Sequence, residues 1–230
     1  MKKALPYLCV VIAVAGTVLW QVFSENKNYY IISAFILILS IIPFIISFEN
    51  SRPSAREVAL LSSLIALAVV SRAVFYLIPQ VKPIGAVVIV CGACLGAKRG
   101  YLVGAFSAFV SNFIFGQGIW TPFQMVALGM VGFVAGLVFS KAKAKRVPMA
   151  ILGFVLTFVL YALLVDLSTV LMMTDDYTFS SVLAVYLAGV PFNLTFGITT
   201  AVCLLAFGED FVKKINRIIR KYGILEADYE

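Results

Sequence analysis

Long apolar runs separated by short polar gaps make up most of this chain. Runs of about 17 to 25 apolar residues can cross the roughly 30 Å hydrocarbon core of a bilayer as helices. The pattern predicts eight such segments, which are about 5–23, 29–48, 56–78, 84–97, 100–115, 121–140, 148–172 and 179–207. The fourth is short for a helix that rises about 1.5 Å per residue, so we expect it to be broken, tilted or dipping. The pattern therefore predicts an all-α integral membrane protein.

The chain changes character at ENSRPSARE, Glu49 to Glu57. Two plain hydrophobic segments precede this stretch, and six segments rich in glycine, alanine, serine and buried polar groups follow it. The first segment follows MKK, as in a signal peptide, but its long apolar run and the lack of a good cleavage site favour a retained helix. We therefore predict two N-terminal transmembrane helices at 1–50, a six-helix functional membrane core at 51–208 and a cytoplasmic amphipathic tail at 209–230.

The tail EDFVKKINRIIRKYG, Glu209 to Gly223, has a different pattern. One helical face is apolar and the other carries lysine and arginine. The apolar positions are Phe211, Val212, Ile215, Ile218, Ile219 and Tyr222. This pattern predicts a helix along the inner membrane surface, where anionic lipids attract the basic face. A helical extension that docks on a partner protein explains the same pattern equally well.

Composition and charge support a membrane location. Of the residues, 62% are hydrophobic and only 13% are charged, whereas soluble domains carry about 25% charged residues. A net charge of +7 would suit nucleic acid, but nearly all basic residues lie in gaps between apolar runs. With the N-terminus inside, the inside gaps and ends hold Lys2, Lys3, Arg52, Arg56, Lys98, Arg99, Lys141, Lys143, Lys145, Arg146, Lys213, Lys214, Arg217, Arg220 and Lys221. By the positive-inside rule we expect both termini to be cytoplasmic, with the lipid bilayer and no nucleic acid as a partner.

Three basic residues depart from that distribution. Lys27 and Lys82 lie in outside gaps, and Arg72 lies within a span. An ionisable group inside a span is costly and commonly functional, and Asp166 is a second such residue. Arg72 and Asp166 both lie about seven residues, or roughly 10 Å, from the outer end of their segments. Equal depth permits an ion pair that only neutralises both charges, and it equally permits two residues that line an outward-facing cavity.

The stretch SNFIFGQGIWTPFQM, Ser111 to Met125, collects hydrogen-bonding groups at the same outer level. Trp120 and Gln124 share a helical face, although Trp120 alone also suits an interfacial anchor. Each outer polar residue by itself suits a helix-to-helix hydrogen bond, but together they outline a polar cavity. The predicted substrate-binding residues are Arg72, Lys82, Asn112, Gln117, Trp120, Thr121, Gln124, Asp166, Tyr186 and Asn193.

Several kinds of chemistry are missing from the sequence. There is no histidine, which is the commonest metal ligand and neutral-pH base. Cys91 and Cys94 form CGAC inside an apolar segment, where they suit helix packing better than a redox or metal role. The sequence has no phosphate-binding glycine loop with lysine, so we expect no ATP hydrolysis by this chain itself. We predict a transport protein without catalytic, metal or cofactor sites, and not an enzyme.

Small residues recur at every fourth position near the start of the third segment. They are Ala55, Ala59 and Ser63, and such spacing lets another helix approach closely. The spacing does not distinguish a helix of this chain from a helix of another protein.

Two longer stretches resemble a known family. They are AREVALLSSLIALAVVSRAVFYLIPQVKP, Ala55 to Pro83, and GYLVGAFSAFVSNFIFGQGIWTPFQMVALGMVGFVAGLV, Gly100 to Val138. They resemble the substrate-binding S components of energy-coupling factor vitamin importers, over roughly 55–207. The resemblance implies a transmembrane coupling protein and two cytoplasmic ATPases as partners. It also implies that the subunit binds a vitamin from outside and reorients in the membrane to release it.

The same resemblance assigns a role to the small residues. It implies that Ala55, Ala59 and Ser63 contact the coupling protein, although serine replaces alanine at the third position. The two extra N-terminal helices also depart from the usual six.

The candidate residues favour a bulky, largely neutral, hydrogen-bonding solute. The predicted outer connections PQVKP and TDDYTFS are short and make poor lids, and an open cavity suits a large ligand. The pattern resembles the cobalamin-importing branch, so cobalamin or a related corrinoid is the predicted substrate. Riboflavin, queuosine precursors or another vitamin are alternatives. A stand-alone secondary transporter is a further one, although the internal repeat typical of such transporters is absent from the sequence.

Overall fold

The computed structural model describes residues 41–42, 44–46, 48–50, 53–139, 144–173 and 178–224, and every regular element within these ranges is helical. The helices after residue 53 are α1 (Ala55–Val74), α2 (Ile84–Leu95), α3 (Ala97–Phe115), α4 (Trp120–Phe139), α5 (Arg146–Val155), α6 (Ala162–Met173), α7 (Phe179–Cys203) and α8 (Glu209–Tyr222). The π-helical turns Leu156–Tyr161 and Leu204–Gly208 join α5 to α6 and α7 to α8. The predicted all-α membrane class is confirmed.

Some predicted features lie outside the described residues. These are the span 5–23, most of the span 29–48, the connection 174–177, the last residues 225–230 and the basic residues Lys2, Lys3, Lys27, Arg52, Lys141 and Lys143.

Local sequence signals determine where several helices begin and end. The Ser54 hydroxyl accepts a hydrogen bond from the Glu57 amide at 3.2 Å, which satisfies one of the free donors in the first turn of α1. Gly96 separates α2 from α3 at φ 84°, and Gly116 ends α3 at φ 100°. Residues with a Cβ avoid this region of backbone conformation. The pattern predicted a break between helices at 97–100. In the structure this break falls at Gly96, whose backbone conformation only glycine adopts easily.

Four helical runs of the described chain are long and apolar enough to cross a membrane. They are Ala55–Val74, Trp120–Phe139, Arg146–Met172 and Phe179–Tyr222. Helix α2 has only 12 residues, or about 18 Å, in agreement with the short fourth segment of the sequence pattern. Large apolar side chains such as Val74 and Phe113 are 72% and 69% exposed, as expected of a surface that lipid covers.

Helices α2, α3 and α4 approach one another through glycines. A Cβ on Gly132 would collide with the backbone carbonyl of Gly100, and a Cβ on Gly92 would collide with the carbonyl of Gly132. Gly104 faces the backbone of Leu128 in the same way. Lipid is as apolar as the helices are, so helix association in a membrane depends on close packing of this kind.

The bundle has two chemically different ends. At one end the starts of α1 and α3 meet, and the Arg99 Nε donates to the buried Glu57 carboxylate at 2.5 Å. We call this the basic end because Arg56, Lys98 and Arg146 also lie in the first turns of helices there. At the polar end, the end of α1 meets the end of α3 and the start of α4.

Helix α8 crosses the basic end. Its Val212 and Ile215 side chains are buried in the core, and the Val212 carbonyl accepts a hydrogen bond from the Cys94 thiol at 3.9 Å. The Arg56 Nη1 donates to the Tyr222 carbonyl at 3.0 Å. The tail is thus an amphipathic helix, as predicted. Two residues of its predicted apolar face, Val212 and Ile215, pack against the bundle's own helix ends, whereas Ile218 and Tyr222 of the same face stay exposed.

The last turns of the second predicted span are held against the core. Phe44 is fully buried, and its ring stacks on Tyr101 with 3.7 Å between centroids. The same ring meets the edge of Phe133 at 6.0 Å. This part of the N-terminal pair therefore packs on α3 and α4.

Candidate functional site

Arg72, in the last turn of α1, is held by the end of α3. Its Nη1 donates to the Ser111 hydroxyl at 2.5 Å and to the Asn112 side-chain oxygen at 2.9 Å. The guanidinium carbon lies 4.0 Å from the centroid of the Phe115 ring. A charge inside an apolar bundle requires such partners, because leaving it unpaired is costly. The Arg72 Nε is buried and has no hydrogen-bond partner among the described residues.

Asn112 connects Arg72 to α4. The residue is 1% exposed, and its Nδ2 donates to the Thr121 hydroxyl at 3.1 Å and to the Gln124 side-chain oxygen at 2.8 Å. The oxygen and the nitrogen of the Asn112 side-chain amide therefore both form hydrogen bonds, which fixes the orientation of the amide. Gln124 is half-buried, and its Nε2 donates to no group in the described part of the chain. Arg72, Asn112, Thr121 and Gln124, all predicted site residues, thus form one network.

The connection between α3 and α4 places two other predicted residues outside this network. The Gly118 amide donates to the Thr121 hydroxyl at 3.1 Å, which closes the turn. The exposed Gln117 side chain donates back to the Phe109 carbonyl at 3.1 Å. The Trp120 ring lies against Gly118 and is 38% exposed. Gln117 and Trp120 therefore line the rim of the polar end without contacting Arg72.

Asp166 belongs to a second polar cluster, between α6 and α7. Its Oδ2 accepts a hydrogen bond from the Asn193 side chain at 2.7 Å. Gly189 lies one turn before Asn193, and a Cβ there would come within 2.6 Å of the same carboxylate oxygen. Nearby, the Tyr186 hydroxyl donates to the Leu163 carbonyl at 3.0 Å. Three predicted residues thus belong to the α6–α7 pair, and glycine makes space for the acid.

The two predicted charges do not form an ion pair in the described structure. Arg72 is bound by α3, and Asp166 is bound by α7. Tyr161 interacts electrostatically with both of them. It ends the π-helical turn Leu156–Tyr161, and such turns occur frequently at functional sites. The sequence analysis did not select Tyr161, because no sequence signal marks a π-helical turn.

Ser111 and Phe115 were also missing from the predicted site residues. Both contact Arg72, and they lie four residues apart, which places them on one face of α3. That spacing is the signal that would have identified them.

Lys82 lies in the connection between α1 and α2, near the Arg72 charge. Burial, reinforced by that positive charge, lowers the pKa of Lys82 from its usual value to about 8. Two cations therefore lie at the mouth of the polar end, and one of them titrates close to neutral pH.

The small-residue stripe of α1 is exposed in the described chain. Ala55, Ala59 and Ser63 all face outward. The Ser63 hydroxyl donates to the Ala59 carbonyl at 2.8 Å. The hydroxyl of serine at the third position is therefore hydrogen-bonded within its own helix, and the side chain is small enough for another helix to approach.

Metal and redox chemistry find no support in the described residues, which hold no group of three or more His, Cys, Asp or Glu suited to a metal ion. Cys91 is fully buried in α2, and neither it nor Cys94 forms a disulfide there. What the site offers is hydrogen-bond donors and positive charge at one end of an apolar bundle.

Comparison with protein families identifies the chain. Residues 52–213 match the family described as ECF-type riboflavin transporter, S component. The chain belongs to this family. No curated protein and no solved structure matches it. As an ECF S component it is the substrate-specific membrane subunit of an ECF transporter and a transport subunit rather than an enzyme.

The matched range can be compared with the helices of the structure and with the predicted spans. It begins just before α1 and ends within α8, so it covers all the helices that carry the two polar clusters. The first two predicted spans of this S component lie before the matched range.

Proposed function

We propose that this S component binds a vitamin at the polar end, from outside the cell, and releases it to the cytoplasm with a coupling protein and two ATPases. The Arg72–Asn112–Gln124 network carries this proposal. It concentrates charge and amide groups at one end of a bundle whose exposed side chains between the two ends are largely apolar. Polar groups within a membrane bundle are expensive and commonly form a substrate path. We assign the α6–α7 cluster around Asp166 to the same binding site, because Tyr161 interacts electrostatically with both Arg72 and Asp166.

The vitamin that we propose is cobalamin or a related corrinoid. The rim of a corrin ring carries carboxamides, which both donate and accept hydrogen bonds, as the amides of Gln117, Gln124 and Asn193 do. Cobalamin also carries one phosphodiester, a group that suits the two cations Arg72 and Lys82. The connection between α3 and α4 has only the residues 116–119. So short a connection makes a poor lid and favours an open mouth that accepts a bulky ligand.

Riboflavin is the second candidate, because the description of the matching family names it. Riboflavin is a flat, uncharged ring system with a hydroxylated chain. It would use the amides and aromatic side chains of the site, but it has no anionic group for Arg72 and Lys82.

Ligand identification tests the proposal. The full chain would be purified, denatured and its released small molecules identified by mass spectrometry. Calorimetric titration with cyanocobalamin and with riboflavin would follow. Tight binding of cyanocobalamin that riboflavin does not displace is the expected result. Tight binding of riboflavin alone would favour the second candidate, and binding of neither, with no vitamin released, would contradict the site.

Binding should depend on pH through Lys82. Lys82 is charged below its pKa of about 8 and neutral above it, whereas arginine stays charged throughout. We therefore expect affinity for cyanocobalamin to fall about tenfold between pH 7 and pH 9, since one unit of pKa shift on binding corresponds to tenfold in affinity. In Lys82→Gln the same calorimetric titration should be flat. An equal fall in wild type and variant would mean that Lys82 does not contact the ligand.

The exposed stripe of α1 should govern assembly with the coupling protein. Ala59→Leu would place a branched side chain where two helix backbones need to approach, so we expect at least about tenfold less coupling protein to co-purify. Val58→Leu is the matched control, because Val58 is 45% exposed in the same turn and is already branched. If both variants recovered the coupling protein normally, the stripe would not be the contact surface.

A further inference from the structure

The outward side of α8 is strongly basic, and only some of its basic side chains form ion pairs with acidic residues. Glu209 and Asp210 are the acidic residues of the helix. The Arg146 Nη2 lies 2.8 Å from Asp210, and the Lys213 Nζ lies 3.0 Å from Glu209. Both acids are thus used within the first turns of α8, together with Arg146 and Lys213.

The rest of the helix has no acidic partner. Arg217, Arg220 and Lys221 form no ion pair with any residue in the part of the chain that the structure describes. Together with Lys213 and Asn216 they line a surface groove of about 520 Å³. Like charges this close repel one another, and an anion in the groove would relieve that repulsion.

The position of α8 identifies the source of that anion. The helix crosses the basic end of the bundle, where it contacts Cys94 at the end of α2 and Arg56 at the start of α1. Ile218 and Tyr222 are exposed apolar side chains on α8 itself, and Phe207, in the π-helical turn just before the helix, is a third. Basic residues beside apolar ones at the end of a membrane bundle match the boundary between lipid headgroups and acyl chains.

We propose that this groove binds the phosphate headgroup of an anionic phospholipid. Val212 and Ile215 on the apolar face of α8 are already buried against the bundle and are not available to lipid. The headgroup contact is made by Arg217, Arg220 and Lys221. A lipid held there would also stabilise the packing of α8 on the start of α1.

Lipid binding to the full chain in neutral detergent tests this proposal. The probes are phosphatidylglycerol, phosphatidylcholine and inorganic phosphate, with bound lipid measured by native mass spectrometry and stability by thermal unfolding. We expect phosphatidylglycerol to bind and to raise the unfolding temperature, and the other two to have no effect. The double variant Arg217→Gln/Arg220→Gln should bind phosphatidylglycerol at least about tenfold more weakly.

Lys214→Gln is the matched control, because Lys214 is a basic residue of the same helix that does not line the groove. It should retain phosphatidylglycerol binding. Equal binding of phosphatidylglycerol and phosphatidylcholine, or a double variant that behaves like Lys214→Gln, would overturn the proposal. An equal effect of inorganic phosphate would overturn the lipid as the source of the anion.

Discussion

Replacing Asn112 with leucine is expected to weaken vitamin binding about a hundredfold. Leucine fills a similar volume but cannot bond to Arg72, Thr121 or Gln124, which Asn112 joins. A lost hydrogen bond to a charged group costs about 1.5–3 kcal/mol, and a buried group left unsatisfied adds to that cost. Arg72 would keep Ser111 and the Phe115 ring but lose its link to α4. Calorimetric titration with the identified vitamin measures the effect.

A binding defect has to be separated from a folding defect, since Asn112 is buried. Thermal unfolding of the detergent-solubilised variant gives the stability, and Gln124→Leu gives a second test of binding. That variant leaves the bond between Arg72 and Asn112 intact, so we expect a smaller loss of affinity, about tenfold, with little loss of stability. Thr199→Val is the control, because the Thr199 hydroxyl donates only to the Thr195 carbonyl of its own helix. Normal affinity in both Asn112→Leu and Gln124→Leu would show that the network does not bind the vitamin.

The second large effect is expected at the glycine interface. Gly132→Ala should destabilise the fold by about 3 kcal/mol or more, because overpacking that moves backbone is at the costly end of such substitutions. The added Cβ would meet the carbonyl of Gly100 and the side chain of Val88, and the carbonyl cannot move without shifting α3. We expect little monodisperse protein after detergent extraction and a strongly lowered unfolding temperature.

Gly208→Ala provides the comparison for that substitution. A Cβ on Gly208 would meet the terminal methyl of Met149 at 3.0 Å, and a flexible side chain of this kind can move aside. We expect a change below about 1 kcal/mol. If Gly132→Ala and Gly208→Ala unfolded at similar temperatures, close backbone packing would not hold α3 and α4 together.

Helix positions were largely predictable from the sequence, as the sixth segment illustrates. The pattern predicted 121–140, and the structure has Trp120–Phe139. The third segment was predicted to run to 78, yet α1 ends at Val74 and a turn follows. The residues FYLI after Val74 are apolar and are exposed in the turn. An apolar side chain faces lipid equally well from a turn or a helix, so hydropathy does not locate such an end.

The depth of the candidate site in the membrane was predictable from the sequence, but the contacts between its residues were not. Counting residues along the spans placed Arg72 and Asp166 at equal depth, and an ion pair between them was one interpretation. In the structure Arg72 contacts α3, 40 residues away in the chain, and Asp166 contacts Asn193, 27 residues away. Depth follows from counting along one helix, whereas contact depends on which helices are neighbours.

The sequence by itself determined that lipid is the solvent, roughly where each helix runs and at which end the polar groups lie. These properties follow from the transfer of individual residues between water and hydrocarbon, which acts along each segment separately. Only the tertiary structure decided that α1 presents Arg72 to α3, that α8 packs Val212 and Ile215 onto the bundle, and that Tyr161 interacts with both Arg72 and Asp166. Neighbouring helices in lipid are selected by close backbone packing, here at Gly100 and Gly132, and no hydropathy pattern carries that information.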